Sequence, residues 1–113
     1  KKLNISKMRL GLRLLRGRKD FSTFRSSSCN ASSPIKTIYK ANLKKVKNDR
    51  IEITFLSQSF LQQQVRSMIG CIKLVGENKW TLRKFEKVIK AKKRSLCGPV
   101  APPHGLYLEK VNY

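Results

Sequence analysis

Residues 39–55 read Tyr39-Lys40-Ala41-Asn42-Leu43-Lys44-Lys45-Val46-Lys47-Asn48-Asp49-Arg50-Ile51-Glu52-Ile53-Thr54-Phe55. Tyr39, Ala41 and Leu43 alternate with Lys40, Asn42 and Lys44, and Ile51, Ile53 and Phe55 alternate with Glu52 and Thr54. A period of two sends successive side chains to opposite faces of a strand, and Asn48-Asp49 offers a tight turn between the runs. The stretch predicts a β-hairpin with one buried and one wet face.

On either side the period lengthens. Ahead of the hairpin, Ile5, Met8, Leu12 and Leu15 recur at helical spacing; Asn4 or Ser6 can cap that helix, and Gly17 is placed to end it. Arg9, Arg13 and Arg16 fall at i, i+4 and i+7 and form one cationic stripe, which reads as a solvated face or as an RNA-facing one. After the hairpin, Leu61, Val65, Met68, Ile69 and Ile72 form an apolar stripe, with Gln62, Arg66, Gly70 and Lys73 on a polar flank. A third helix is predicted over residues 81 to about 92, capped by Thr81, with Trp80 stapled to Phe85 and Leu82, Phe85, Val88 and Ile89 inward. Glu86 is placed to pair with Lys90, and the basic residues Lys90, Lys92, Lys93 and Arg94 suit the helix's C-terminal end. A Pro-bearing loop at residues 98–105 leads to a strand over 106–113. The order α, β, β, α, α, β predicts an α+β domain: an antiparallel sheet with helices packed on one face.

The chain has 113 residues, with 26 Lys and Arg against 6 Asp and Glu, a formal charge of +20. That length supports one ordinary domain or a piece of a larger protein. Nine aromatic residues and an apolar fraction of 40% argue for a packed core rather than a disordered basic tail. The longest apolar run, residues 68–72, falls far short of the roughly 20 residues of a membrane-spanning helix. No signal peptide is visible, and the chain opens Lys1-Lys2-Leu3 without Met, so its true N-terminus is expected to lie elsewhere. Such charge calls for an anionic partner, with phosphate backbones first. Seventeen Lys against nine Arg, together with abundant Ile and Asn, is also what an A/T-rich genome produces without selection.

A search for catalytic groups finds little. Cys29, Cys71 and Cys97 are widely spaced and never form a CxxC pair, so neither a zinc site nor a disulfide framework is predicted, and a reducing cytosol is the expected compartment. Any His-dependent constellation rests on His104, which reads as a turn residue. Asp20, Asp49, Glu52, Glu77, Glu86 and Glu109 contain no pair at metal-ligand spacing, and no phosphate-cradling glycine pattern is present. By itself the chain does not read as a self-sufficient enzyme.

Two segments stand apart: Ser59-Phe60-Leu61-Gln62-Gln63-Gln64-Val65-Arg66-Ser67-Met68-Ile69-Gly70, and Gly98-Pro99-Val100-Ala101-Pro102-Pro103-His104-Gly105-Leu106-Tyr107-Leu108. With Gly17, Asp20-Phe21-Ser22-Thr23-Phe24-Arg25, Cys29, Ser33-Pro34-Ile35-Lys36-Thr37-Ile38-Tyr39 and Arg94-Ser95-Leu96, they resemble, in order and spacing, the C-terminal half of the TruA-type tRNA pseudouridine synthases. The resemblance implies an RRM-like or ferredoxin-like half of such an enzyme over residues 1–113, whose N-terminal half carries the catalytic Asp in an Arg-Thr-Asp-type motif absent here. It implies isomerisation of uridine to pseudouridine in the tRNA anticodon stem-loop, with the base flipped out, detached, rotated and rejoined through carbon, and with neither cofactor nor metal.

Residue by residue, the resemblance makes Arg66 the helix arginine that pairs with the catalytic carboxylate, and Leu106 the leucine that packs on the target base. Alone, Arg66 reads as an exposed helix arginine and Leu106 as a core leucine. Arg9, Arg13, Arg16, Arg25, Lys36, Gln62, Lys73 and His104 are the candidate RNA contacts. Expected partners are tRNA, the N-terminal half and, for the complete enzyme, a second copy; no membrane is expected. The chain departs from the family at Gln58-Ser59-Phe60-Leu61-Gln62-Gln63-Gln64, at Ser67 for the usual Asn, at Lys36 for Arg and at Lys93 for Asp. A non-catalytic RNA-binding or ribosome-associated module is the alternative reading.

Overall fold

The computed structural model describes residues 3–25, 33–45, 51–61 and 63–98, and the backbone of 109–110. The expected turn at Asn48-Asp49, Cys29 and nearly all of the Pro loop and terminal strand lie outside the described residues. Among those described, the order is α1 (Ile5–Leu14), β1 (Gly17–Asp20), β2 (Ile35–Lys45), β3 (Ile51–Ser57), α2 (Gln64–Gly76), α3 (Leu82–Ala91) and β4 (Glu109–Lys110), with 3-10 turns at Ser22–Phe24 and Arg94–Leu96. This is the α+β class that the hydrophobic periods predict. No helix among the described residues is long and apolar enough to cross a membrane.

Asn4 caps α1, its side chain accepting the Lys7 N–H at 3.1 Å. Met8, Leu12 and Leu15 are buried, as the spacing requires. The Asn4 N–H donates to the Gly76 carbonyl at 2.7 Å, tying the start of α1 to the end of α2. The helix ends earlier than the glycine signal predicts. Leu14 is its last residue, and Gly17 instead opens β1 with φ of +99°. A Cβ is disfavoured at that angle, so glycine makes the change from helix to strand. β1 pairs antiparallel with β2, Gly17 opposite Ile38 and Asp20 opposite Ile35.

Asp20 then turns the chain, its Oδ1 accepting from the Ser22 N–H (2.9 Å) and hydroxyl (2.6 Å). This turn sends Phe21 and Phe24 into the core, and Thr23 donates to the Val88 carbonyl at 2.8 Å. Burial works against the Asp20 charge, but the Ser22 hydroxyl and amide, aided by Lys92 and Arg25, outweigh it and hold the carboxyl below its ordinary 3.8. A depressed folded-state value contributes stability above the unfolded value, and that contribution is lost as pH falls through the folded one. Asp20→Asn should therefore lower the urea midpoint at neutral pH, with the gap to wild type closing as pH drops below 3.8. A gap that does not change with pH would show that the charge is not what matters.

β2 and β3 form the expected hairpin strands, but the inward face slips by one residue. Ile38 lies opposite Ser57, whereas Lys40 lies opposite Leu56, so Tyr39 is the extra residue of a β-bulge. Ala41, Leu43 and Phe55 face the core as the alternation predicts, while Tyr39 is 46% exposed and Ile38 is buried instead. β4 also departs from the expected all-antiparallel sheet. It runs parallel to β3, with Glu109 opposite Leu56 and Lys110 opposite Ser57, giving a mixed sheet of order β1-β2-β3-β4. Two helices separate β3 from β4, the kind of long crossover a parallel pair needs.

α2 is buried more widely than a single stripe. Val65, Met68 and Ile72 are joined inside by Gln64, Ser67, Gly70, Cys71, Val75 and Gly76, and Leu61 is buried just ahead of the helix. Gly70 therefore does not sit on an open polar flank with Arg66 and Lys73. The segment after α3 crosses that side, with Cys97 and Gly98 against Ser67 and Cys71. α3 matches its prediction closely. Thr81 accepts from the Lys84 N–H at 3.0 Å, the Trp80 and Phe85 rings lie 6.4 Å apart, and Glu86 pairs with Lys90 at 3.8 Å. α1 packs against β2, α2 and α3, so these helices close one core with the inner face of the sheet.

Candidate nucleic-acid interface and active-site half

The arginine stripe survives folding in altered form. Arg9 and Arg13 are exposed on α1, and Arg16 lies just beyond it, yet the three line one groove of about 200 Å³ with Ala41, Asn42 and Leu43 of β2. Arg16 is anchored there: Nη2 donates to Asn42 Oδ1 at 2.7 Å and to the Ala41 carbonyl at 3.3 Å. A fixed guanidinium flanked by two exposed ones suits successive phosphates, because each cationic contact releases condensed counterions.

A second, more polar cleft of about 240 Å³ lies where β1, β2 and the end of β3 meet, with Arg18, Lys36, Tyr39 and Ser59 among its walls. Lys36 Nζ donates to Ser59 Oγ at 2.9 Å, and the buried Ser57 hydroxyl donates to the Ser59 carbonyl at 2.8 Å. The bulge brings the Tyr39 ring to this cleft. Cations beside an exposed aromatic ring can bind a phosphate and stack a base at once. Arg18 was not among the sequence candidates, since it sits on a four-residue strand with no apolar alternation to reveal it.

Arg66 lies half-buried on the first turn of α2. The approach to that turn is tightly held. Gln63 takes φ of +63°, and buried Gln64 bonds reciprocally with Leu61, its Oε1 accepting the Leu61 N–H at 2.8 Å and its own N–H reaching the Leu61 carbonyl at 3.0 Å. Of the Gln62-Gln63-Gln64 run, then, Gln64 is part of the scaffold and not an RNA contact. Lys73 is exposed at the other end of α2, about 10 Å along the axis from Arg66. Arg25 is half-buried after the Ser22–Phe24 turn. Neither Arg25 nor Lys73 lines the two basic clefts. Gln62, His104 and Leu106 lie outside the described residues.

Two of the widely spaced cysteines meet in the fold. Cys71 and Cys97, 26 positions apart, place their sulfurs 3.5 Å from each other without a bond between them. No spacing motif signals this; the fold of the segment after α3 creates it.

Comparison with known proteins adds to this geometry. The family model for tRNA pseudouridine synthase matches residues 12–113. The chain is 65% identical over all 113 residues to tRNA pseudouridine synthase A of Pelagibacter ubique, covering 46% of that protein. It is 48% identical over its whole length to tRNA pseudouridine synthase A of Parvibaculum lavamentivorans, again 46% of that protein. Against the Sinorhizobium medicae protein of the same name it is 48% identical over 99 residues, 88% of this chain and 40% of the other. The chain thus spans about half the length of the relatives it matches.

Proposed function

This chain belongs to the tRNA pseudouridine synthase family, and from that premise we propose that it is the C-terminal half of an enzyme converting uridine to pseudouridine in the tRNA anticodon stem-loop. The observation that carries this reading is the match along the whole chain to synthases about twice its length. Residues 1–113 act as one domain that binds tRNA and completes an active site whose nucleophilic Asp belongs to an N-terminal half. The compartment is the cytosol, and the complete enzyme is a homodimer.

The work divides by position. Arg66, on its braced helical turn, holds and orients the catalytic carboxylate of the other half. A carboxylate shielded from water needs a fixed cation to stay ionised, and a guanidinium meets it with two parallel hydrogen bonds. Leu106 packs against the extruded base. Arg9, Arg13 and Arg16 in one groove, with Lys36 beside Arg18 in the other, take up the tRNA backbone, and Arg25, Lys73 and His104 add contacts around them. The reaction rearranges a single molecule: a bond from sugar to nitrogen is exchanged for one from sugar to carbon, and nothing is consumed.

Two preparations test this. The purified chain alone should form no pseudouridine on unmodified tRNA, whereas the chain co-expressed with the N-terminal half of the Pelagibacter relative should restore it. Pseudouridine made by the chain alone, or a folded two-half complex that stays inactive, would overturn the reading.

A further inference from the structure

Cys71 is fully buried on α2, and Cys97 is half-buried in the strap that follows the Arg94–Leu96 turn. Their sulfurs stand 3.5 Å apart, and the strap is held against α2 by the Gly98 N–H, which donates to Cys71 Sγ at 3.3 Å. The strap packs closely there, since a Cβ at Gly98 would lie 2.6 Å from Leu74 Cδ1 and 3.6 Å from Cys71 Sγ. A second feature points at the same place. The Ser67 hydroxyl is wholly buried and has no hydrogen-bond partner among the described residues, yet it faces Cys97, whose thiol reaches the Ser67 carbonyl at 3.9 Å. A thiolate at Cys97 gives that orphan hydroxyl an acceptor.

We infer that Cys71 and Cys97 form a redox site, in which a hydroperoxide converts the two thiols into an intrachain disulfide and a dithiol reductant restores them. The electrostatics favour Cys97 as the attacking sulfur. The hydrogen bond from Cys71 is the chief cause that lowers its thiol to about 7, with Arg94 and Ser67 assisting against the cost of burial. Cys71, donating that bond and buried, is pushed up and waits as the neutral resolving thiol.

The steps balance. The Cys97 thiolate attacks the terminal oxygen of the hydroperoxide; the O–O bond breaks, Cys97 becomes a sulfenic acid and an alkoxide or hydroxide leaves. Cys71 sulfur then attacks Cys97 sulfur, the S–O bond breaks, and the Cys71 proton leaves with the hydroxyl as water. Two thiols and one peroxide give one disulfide, one water and one alcohol or second water. Reduction runs by two thiol–disulfide exchanges, the dithiol ending as its own cyclic disulfide.

The test uses the full-length protein, treated with limiting hydrogen peroxide, quenched with N-ethylmaleimide and digested with trypsin without reductant. The expected product joins the peptides spanning residues 67–73 and 95–110, lighter by two hydrogens than their sum and separated again by dithiothreitol. Linking should be at least about tenfold faster in the native protein than in guanidinium, because the fold supplies the proximity. In Cys71→Ser, a dimedone-reactive sulfenic acid should accumulate on Cys97. Cys97 oxidised without the link in the unaltered protein, a link to Cys29 instead, or equal rates in native and unfolded protein would each overturn the proposal.

Discussion

Arg66→Ala in the complete enzyme is expected to lower the single-turnover rate by about a hundredfold or more, with tRNA affinity little changed. A preorganised charge contact at a reacting centre is typically worth ~3–4 kcal/mol in the transition state, and that is the contact we assign to Arg66. Its position suits this role, since it is half-buried on a helical turn braced by the Gln64–Leu61 hydrogen bonds. Arg66→Lys should also be impaired, because an ammonium cannot reproduce the planar two-pronged contact with a carboxylate. A phosphate contact behaves differently, since its loss weakens binding and flattens the salt dependence while bound RNA still turns over. Single-turnover rates and binding measured on both variants separate the two roles, and an Arg66→Ala enzyme with wild-type turnover sinks the assignment.

Phe24→Ala should produce the largest loss of stability, about 3–5 kcal/mol. Phe24 is fully buried, with its ring 6.3 Å from Phe21 and 6.4 Å from Phe85, so it bridges the turn after β1 to α3. Domains of this size are stable by only about 5–15 kcal/mol in total, so the cavity removes a large share of the margin. The Glu86–Lys90 pair makes a contrast, since both side chains are largely exposed and its loss should cost no more than about 0.5 kcal/mol. Urea titration of Phe24→Ala and Glu86→Ala measures both. A Phe24→Ala midpoint within error of wild type would mean that the aromatic cluster is not what holds these elements together.

What could be read in advance follows from how local each signal is. The capped helices at Asn4 and Thr81 and the alternation at Ala41, Leu43 and Phe55 depend on neighbours in sequence, and they appear as predicted. β1 carries no apolar alternation and exists because β2 offers it a partner, so Gly17 looked like a helix end. The exposure of Tyr39 depends on one extra residue in the β2–β3 register, which no single-strand pattern encodes. The parallel β4 and the Cys71–Cys97 approach arise only once two helices have carried the chain back across the sheet. For the site, Arg66 comes forward only through the family resemblance, whereas Arg18 and Ser67 gain significance only from what the fold sets beside them.

The bond from Asn4 to the Gly76 carbonyl has a consequence during synthesis. α1 leaves the ribosome before α2, and the end of α2 that packs on Met8 is not complete until Gly76 has been added. At about 5–20 residues per second, the 72 residues added after Asn4 up to Gly76 take roughly 4–14 s. For that interval the apolar face of α1 lacks α2 and has only β2 to cover part of it, while its arginines Arg9 and Arg13 stay solvated. The nascent chain thus passes through a cationic, half-dressed amphipathic helix. Until α2 arrives to cover that face, the charge of the same arginines that line the finished groove keeps the helix soluble.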